Sequence, residues 1–375
     1  MVSKIPGLYI HVPFCVKKCE YCSFYSTTTI SHIPEFLSAL SREMEMYRGQ
    51  FDPFDTVYIG GGTPSVLKPE EILEILKGVQ KSFTLLSNPE ITLEVNPADL
   101  GQSFLEPLHE MGINRLNIGV QSFDQNVLDF LGRRHSVQQA FSSIDVSREA
   151  GFDPIGLDLI YGVPGQDMES WLNTLSRGFS FEPEHLSCYQ LTIEEGTPLK
   201  SRCQRGEVVP PGNELQYEFF MRTSEYLEHA GYVHYEVSNF AKSMAYASRH
   251  NQKYWNHTPY LGLGPAAHSY SANKRWWNHR SLDHYLAAIK MGQLPVEGTE
   301  TLTTEQLRLE ALYLGLRTRR GICLEEFYSQ YGLNLLEEKK NFLAQLENVG
   351  LISVENGFLS PTRAGLAVAD SLALI

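Results

Sequence analysis

Residues 9–24 read YIHVPFCVKKCEYCSF, an apolar, strand-like run followed at once by three closely spaced cysteines. The C-x3-C-x2-C spacing puts the thiols of Cys15, Cys19 and Cys22 on one short loop. Four thiolates complete the usual ligand set of a 4Fe-4S cluster, so three would leave one iron free to bind a small molecule. A zinc site closes with four ligands, commonly in two separated pairs, and the sequence offers no second C-x2-C pair. A redox-active cysteine pair is the other alternative.

Composition and charge narrow the class of protein. Of the 375 residues, 42% are hydrophobic and 20% are charged, which is typical of a globular chain with room for about two domains. The formal net charge of −13 argues against a nucleic-acid partner, because phosphate backbones attract basic surfaces. No run approaches the ~18 apolar residues that span a bilayer, and the N-terminus lacks the apolar core of a signal peptide. Three of the six cysteines lie in one loop, which favours a reduced, cytoplasmic setting.

Short apolar runs alternate with helix-like segments in the first half of the chain. The predicted strands are residues 8–12, 56–59, 91–95, 116–120, 155–160 and 185–191, and the predicted helices are residues 33–47, 69–81, 104–111, 137–150 and 169–175. This alternation predicts an α/β fold with a parallel sheet and right-handed crossovers. Polar or glycine residues follow the strands, at Gly60, Glu94, Gln121, Asp158 and Gln190, where α/β barrels gather their active sites.

The pattern changes after the sixth strand. A helix is predicted at residues 215–230, and residues 250–284 hold five of the twelve histidines and three of the four tryptophans. The elements predicted after that are helices at 305–316, 324–330 and 335–348, a hairpin at 351–359 around Glu355-Asn356-Gly357, and a last helix from Thr362. We therefore predict a barrel over residues 1–235, an aromatic- and histidine-rich connecting segment over 236–300, and a smaller winged-helix-like domain over 301–375.

The cysteine run and the Tyr-Ile-His-Val-Pro-Phe before it resemble the cluster loop of radical S-adenosylmethionine (SAM) proteins. The run is most similar to the branch that contains the oxygen-independent coproporphyrinogen oxidases. The resemblance implies a 4Fe-4S cluster on Cys15, Cys19 and Cys22, with the amino and carboxylate groups of SAM bound to the open iron. It also implies an open, partial (β/α)6 barrel for the first part of the chain.

Several residues after the predicted strands suit a ligand pocket. The glycines of Gly61-Gly62-Thr63 let the backbone come close to a ligand, although a tight turn would look the same. A carboxylate at Glu94 needs a partner or a wet cleft, and a structural ion pair explains it equally well. A core tyrosine at Tyr9 and a solvated helix-end charge at Arg133 are further alternatives, and no catalytic residue is assigned. The resemblance implies SAM contacts at Tyr9, Tyr21, Phe24, Gly61, Gly62, Thr63, Glu94, Gln121, Arg133 and Asp158.

Residues 250–255, His-Asn-Gln-Lys-Tyr-Trp, match the HNxxYW signature of the HemW-type haem chaperones. Imidazole is an axial ligand of haem iron, and flat aromatic rings suit the porphyrin plane. Composition alone favours a packed aromatic connection whose histidines are already satisfied. The resemblance instead implies haem contact by His250, Asn251, Tyr254 and Trp255, with His250 as the first candidate for the iron ligand.

Two features separate the chain from the oxidases that it resembles. Phe24 stands where those enzymes have a further cysteine, and because Cys15 comes near the start, we expect no counterpart of the long extension before their cluster loop. From about residue 7 to the end, the resemblance is to the HemW haem chaperones. It implies a cytoplasmic haem chaperone that delivers haem to acceptors such as respiratory enzymes, and a homodimer is a further expectation. The alternative is an oxygen-independent coproporphyrinogen III oxidase.

Overall fold

The computed structural model describes residues 4–51 and 53–372. Its centre is formed by the parallel strands β1 (Gly7–Val12), β2 (Phe54–Gly61), β3 (Leu85–Val95), β4 (Arg115–Gln121), β5 (Ile155–Tyr161) and β6 (His185–Gln190). The helices that follow these strands are α1 (Ile33–Met46), α2 (Pro69–Ser82), α3 (Gln102–Glu110), α4 (Gln125–Leu131), α5 (Val137–Glu149), α6 (Met168–Phe179), α7 (Pro198–Gln204) and α8 (Asn213–His229). Each strand from β1 to β6 pairs in parallel with the next, which confirms the predicted partial (β/α)6 barrel.

Side-chain alternation explains why these strands form the inner layer. In β1, Leu8, Ile10 and Val12 are fully buried in the large apolar core beneath the helices. Tyr9 and His11, between them, lie on the other face, because successive side chains of a strand point in opposite directions. The same alternation in the other strands gives the barrel a polar interior.

Helix α4 is absent from the sequence-based prediction. It has only seven residues, which is too short for a clear helical period. Its start is nevertheless well defined, because the carboxylate of Asp124 accepts a hydrogen bond from the backbone N–H of Asn126 at 2.9 Å. The residue after it, Gly132, has a φ of +70° and ends the helix.

The sheet continues beyond the barrel on both sides. The added elements are β7 (Val233–Glu236), β8 (Asn239–Ala241), α9 (Arg249–Trp255), β9 (Tyr260–Leu263), β10 (His268–Ser271), β11 (Lys274–Asn278), α10 (Leu282–Lys290) and β12 (Val296–Thr301). Within the described residues the sheet has twelve strands, in the order β12-β11-β10-β9-β1-β2-β3-β4-β5-β6-β8-β7. The predicted boundaries, after residues 235 and 300, fall inside β7 and β12, and the three-part division stays a prediction.

The C-terminal part has its own small sheet and apolar cluster. Its elements are α11 (Thr304–Gly315), β13 (Ile322–Cys323), α12 (Leu324–Tyr331), α13 (Leu335–Glu338), α14 (Lys340–Asn348), β14 (Ile352–Glu355), β15 (Phe358–Pro361), α15 (Arg363–Ala367) and α16 (Ala369–Leu372). Strands β14 and β15 form the predicted hairpin, in which Asn356 and Gly357 have the positive φ angles that its tight turn needs. Helices packed on a three-stranded antiparallel sheet confirm the winged-helix-like expectation.

Helix α8, with 17 residues, is the longest helix in the described residues. Across residues 4–51 and 53–372, no helix is long and apolar enough to cross a bilayer.

Candidate functional site

The three cysteines lie on the loop that follows β1. This loop folds back on itself, because the N–H of Cys15 donates to the carbonyl of Thr27 at 3.0 Å and the N–H of Thr27 donates to the carbonyl of Pro13 at 2.7 Å. Cys15 is buried, whereas Cys19 and Cys22 are half-buried. Burial raises the pKa of Cys22, and the neighbouring Cys15 and Cys19 raise it further. The thiols of Cys15 and Cys19 therefore lie close enough to oppose the ionisation of Cys22.

The donor set suits iron. Thiolates are the ligands of 4Fe-4S clusters, and a bound metal replaces the protons that the thiols otherwise keep. The guanidinium of Arg133 donates to Sγ of Cys19 at 3.6 Å, which places a positive charge against the cysteine loop. No three His, Cys, Asp or Glu side chains converge as a finished metal site in the described part of the chain. The cysteines are thus three donors on one loop and not a closed ligand shell.

The segment Gly61-Gly62-Thr63 fastens the end of β2 to the cysteine loop. The N–H of Gly62 donates to the carbonyl of Val12, and the N–H of Thr63 donates to the carbonyl of Phe14, both at 2.8 Å. These N–H groups are occupied, so the amino group of a ligand, which is itself a donor, would meet carbonyl oxygens here.

Two further contacts fix this segment in place. Oγ1 of Thr63 lies 3.4 Å from Sγ of Cys15, which brings the segment against the first cysteine. Gly61 has a φ of +111°, and a Cβ at this position would lie 2.6 Å from Nδ1 of His11. Only glycine fits both the backbone conformation and the space.

Glu94 and Asp158 bring two carboxyl groups into the barrel interior. Oε1 of Glu94 accepts a hydrogen bond from the hydroxyl of Tyr58 at 2.8 Å, and Oε2 accepts one from the N–H of Gly61 at 3.1 Å. Burial, with the charge of Asp158 added, raises the pKa of Glu94 to about 7. Burial also raises the pKa of Asp158 to about 6, and its Oδ1 has no hydrogen-bond partner among the described residues. A ligand with an amino group would relieve the repulsion between the two carboxylates.

Gln121 and Arg133 meet over Gly119 of β4. A Cβ on Gly119 would lie 3.1 Å from Nε2 of Gln121 and 3.2 Å from Nη2 of Arg133. The backbone of Gln121 is left-handed, with a φ of +66°, and strain of this kind is common at binding sites. Nη2 of Arg133 also donates to the carbonyl of Gly119 at 2.7 Å, so its charge is held between the barrel and the cysteine loop.

The three aromatic residues predicted to contact SAM lie in different surroundings. The hydroxyl of Tyr9 is 3.1 Å from Nδ1 of His11, and the rings of Tyr9 and Tyr58 are 6.1 Å apart inside the barrel. Tyr21 packs, partly buried, against the apolar cluster that includes α4. Phe24 is 67% exposed, so the structure does not bring this ring into the barrel interior.

The HNxxYW signature forms helix α9, and His250 faces into the barrel. Its side chain is 1% exposed and its ring stacks on that of Tyr58, with centroids 5.1 Å apart. Nδ1 lies 2.9 Å from Oγ1 of Thr56, and Nε2 lies 2.9 Å from the hydroxyl of Tyr254. Burial lowers the pKa of His250 to about 3, so the ring is neutral. Both ring nitrogens are engaged within the protein, and the ring is not presented at the surface.

The remaining members of the signature are half-buried. Asn251, Tyr254 and Trp255 all keep partial exposure, and Nε1 of Trp255 has no hydrogen-bond partner in the described residues. An exposed imidazole nearby in sequence is that of His268, which stacks on Trp277 with the ring centroids 5.9 Å apart. The strands therefore present an imidazole and an indole side by side.

Comparisons with known proteins place the chain in a family. The radical SAM superfamily matches residues 9–177, and the HemN C-terminal domain matches residues 302–368. The chain is 35% identical to the haem chaperone HemW of Bacillus subtilis (strain 168) over 369 residues, which cover 97% of each chain. It is 30% identical to the haem chaperone HemW of Lactococcus lactis subsp. lactis (strain IL1403), over 99% of this chain and 97% of that one. The chain belongs to the HemW family of radical SAM proteins.

Similarity to this HemW-family chain extends to a vertebrate protein and to a solved structure. The radical S-adenosyl methionine domain-containing protein 1, mitochondrial, of Danio rerio is 33% identical over 99% of this chain and 88% of its own. The coproporphyrinogen III oxidase HemN of Escherichia coli, a radical SAM enzyme, superposes with a TM-score of 0.85 over 99% of this chain and 90% of its own. At 24% identity, that likeness shows a shared fold alone.

Sequence reasoning does not single out Tyr58 and Asn117, although both belong to the Glu94 site. The hydroxyl of Tyr58 donates to Glu94 and accepts from Nδ2 of Asn117 at 3.2 Å. The signal that could have found them is alternation, because Tyr58 lies two residues before Gly60 and therefore on the same face of β2. Asn117 pairs in register with Glu94 on the neighbouring strand of this HemW-family barrel.

Proposed function

We propose that the protein is a haem chaperone that binds haem and delivers it to acceptor haem proteins, with a 4Fe-4S cluster and SAM as its cofactors. The observation that carries the proposal is full-length similarity, at 30–35% identity, to proteins named haem chaperone HemW. The contacts that join the cysteine loop, the glycine segment and Glu94 support it, because cluster and SAM would have to be held side by side.

Different residues of this site would hold the two cofactors. The three loop cysteines would hold the cluster, and Glu94 and Asp158 would face the amino group of SAM. When bound, the cluster would supply an iron without a protein ligand, to which SAM could bind, and a source of one-electron chemistry. Arg133 offsets the negative charge that a thiolate at Cys19 carries. The reduced thiols that such a site needs favour the cytoplasm as its location.

Haem needs a ligand that can reach its iron. His268 is exposed, and neither of its ring nitrogens has a hydrogen-bond partner among the described residues. The indole of Trp277 beside it offers a flat apolar surface, which suits a porphyrin plane. We therefore infer that His268 is the better placed axial ligand, while contact of haem with Asn251, Tyr254 and Trp255 stays a prediction.

A haem titration followed by transfer tests the proposal. Haem is added to the anaerobically reconstituted protein, and the complex is then mixed with a haem-free respiratory cytochrome. We expect a Soret band that shifts in His268→Ala but not in His284→Ala, whose imidazole is also exposed. Transfer to the cytochrome should be faster than from free haem.

Two outcomes would contradict the proposed chaperone function. One is the lack of any Soret change on haem addition. The other is conversion of coproporphyrinogen III to protoporphyrinogen IX by the reconstituted protein, which would establish the oxidase instead.

A further inference from the structure

Helix α9 is anchored on the barrel by the carboxylates of two neighbouring strands. Both carboxylate oxygens of Glu90 in β3 accept backbone hydrogen bonds from the first turn of α9, from the N–H of Arg249 at 3.1 Å and from that of His250 at 2.9 Å. Asp55 of β2 pairs with Arg249 at 3.0 Å and with Lys253 at 2.6 Å. The helix therefore has one orientation, with the imidazole of His250 directed into the barrel.

The imidazole of His250 packs against the ring of Tyr58. The two rings stack with centroids 5.1 Å apart and an interplanar angle of 29°. On its other side, the hydroxyl of Tyr58 donates to Glu94 at 2.8 Å and accepts from Asn117 at 3.2 Å. The ring of Tyr58 thus fills the space between His250 and Glu94, and its hydroxyl can reach Glu94 only while the ring keeps this place.

We propose that His250 is a positioning residue of the SAM site, which holds the ring of Tyr58 so that its hydroxyl stays on the Glu94 carboxylate. His250 is then not a haem ligand. Axial ligation requires a ring nitrogen with a free lone pair that points at the iron. To reach haem, His250 would have to leave Thr56 or Tyr254 and become uncovered, since it is 1% exposed.

The proposal rests on the proposed contact of SAM with Glu94 and does not require that the protein bind haem. A purely structural histidine would stabilise the fold without any specific effect on SAM affinity. The chain offers a matched control for that case in His234 of β7, at the far edge of the sheet. Nδ1 of His234 lies 2.9 Å from Oγ of Ser224, and its ring stacks on Phe240 with centroids 4.1 Å apart.

The test compares His250→Ala, His250→Asn and His234→Ala in the anaerobically reconstituted full-length protein. SAM affinity is measured by equilibrium dialysis, and haem binding by the position of the Soret band. Loss of a well-placed hydrogen bond to a charged group predicts about tenfold weaker SAM binding for His250→Ala. His250→Asn should recover part of this loss, because its amide can still bond to Thr56. His234→Ala should leave SAM affinity within about twofold of the wild type, and neither His250 variant should move the Soret band.

A second measurement shows whether His250 acts through Tyr58. Tyr58→Phe keeps the ring but removes the hydroxyl, so adding His250→Asn should weaken SAM binding no further. Losses that add in the double variant would overturn the proposal, and this cycle also serves if His250→Ala does not fold. An equal loss in His234→Ala, or a shifted Soret band with unchanged SAM affinity in the His250 variants, would overturn it as well. Failure of the wild type to bind haem would count against the chaperone function alone.

Discussion

Glu94 is a residue of the site whose charge changes near neutral pH. Burial and the nearby Asp158 raise the pKa of Glu94 to about 7, so its carboxylate forms between pH 6 and 8. An amino group donates a hydrogen bond to the carboxylate more strongly than to the acid. SAM affinity should therefore rise with pH, by about tenfold from pH 6 to pH 8 if only the ionised form binds.

Titration of SAM affinity against pH checks this expectation. Glu94→Gln should bind SAM more weakly and lose the pH dependence that has its midpoint near 7, because the amide does not ionise. Asp158→Asn should move the midpoint to lower pH, since it removes a negative charge that raises the pKa of Glu94. A pH dependence that persists unchanged in Glu94→Gln would show that another group titrates.

Cys19 is a candidate ligand of the cluster, and we expect the fold to tolerate its substitution. Its thiol is half-buried and lies beside Arg133, outside the apolar core. Cys19→Ser should lose the iron–sulfur absorbance after reconstitution while the thermal unfolding midpoint stays close to that of the wild type. Cys188→Ser is the matched control, because Cys188 lies in the apolar core and should keep the cluster but unfold more easily. Full cluster absorbance in Cys19→Ser would remove this residue from the ligand set.

At the scale of the element, the segment Gly61-Gly62-Thr63 after β2 can be tested by substitution. Gly61→Ala would place a methyl group against His11 in a backbone conformation that favours glycine. It should cost about 1–3 kcal/mol in the free energy of unfolding and weaken SAM binding, because the N–H of Gly61 holds Glu94. Chemical denaturation and SAM titration measure the two effects.

Gly212→Ala is the control for this substitution. A Cβ at Gly212 would meet no atom within 4 Å among the described residues, and the backbone there has a φ of −65°. Equal destabilisation by the two substitutions would show that the fit against His11 is unimportant.

The strands of the barrel could be predicted from the sequence, and the strands beside it could not. Strands β1 to β6 carry their own signal, because each is an apolar run that is followed by a helical period. Strand β9 has four residues and pairs with β1, so that Leu261 lies beside Leu8. Its identity depends on a contact between distant parts of the chain, which local periodicity does not contain.

At the scale of the whole molecule, motifs in the sequence indicate which residues lie close together but not the direction of their side chains. The cysteines, the glycine segment and Glu94 are brought together as the resemblance implies. The HNxxYW signature forms helix α9, and its histidine lies inside the barrel. That orientation depends on the contacts of Glu90 and Asp55 with α9, which only the folded chain reveals.

Ion pairs connect the C-terminal part to the barrel. Arg363 of α15 pairs with Glu225 and Glu228 of α8, and all three side chains are between a quarter and about a third exposed. Arg363→Ala should cost about 0.5–1 kcal/mol in the free energy of unfolding at low salt, because partly exposed pairs are weak. The difference should shrink in 1 M salt, where charges are screened within about 3 Å.

Denaturation at both salt concentrations measures the contribution of Arg363. Arg222→Ala removes a more exposed pair with Glu225 within α8 and should have little effect at either concentration. A loss in Arg363→Ala that does not depend on salt would instead point to packing of the arginine side chain.

Strand β1 pairs with β2 on one side and with β9 on the other, and these two partners are synthesised at very different times. The first partner is complete at Gly61, but the second ends only at Leu263. While the nascent chain emerges, one edge of β1 stays unpaired for about 200 residues, and unpaired edges invite wrong pairing. The loop after β1 also gains one of its contacts late in synthesis, because the hydroxyl of Tyr25 accepts a hydrogen bond from the N–H of Leu282. Most of the chain must leave the ribosome before the cysteine loop is held from both sides.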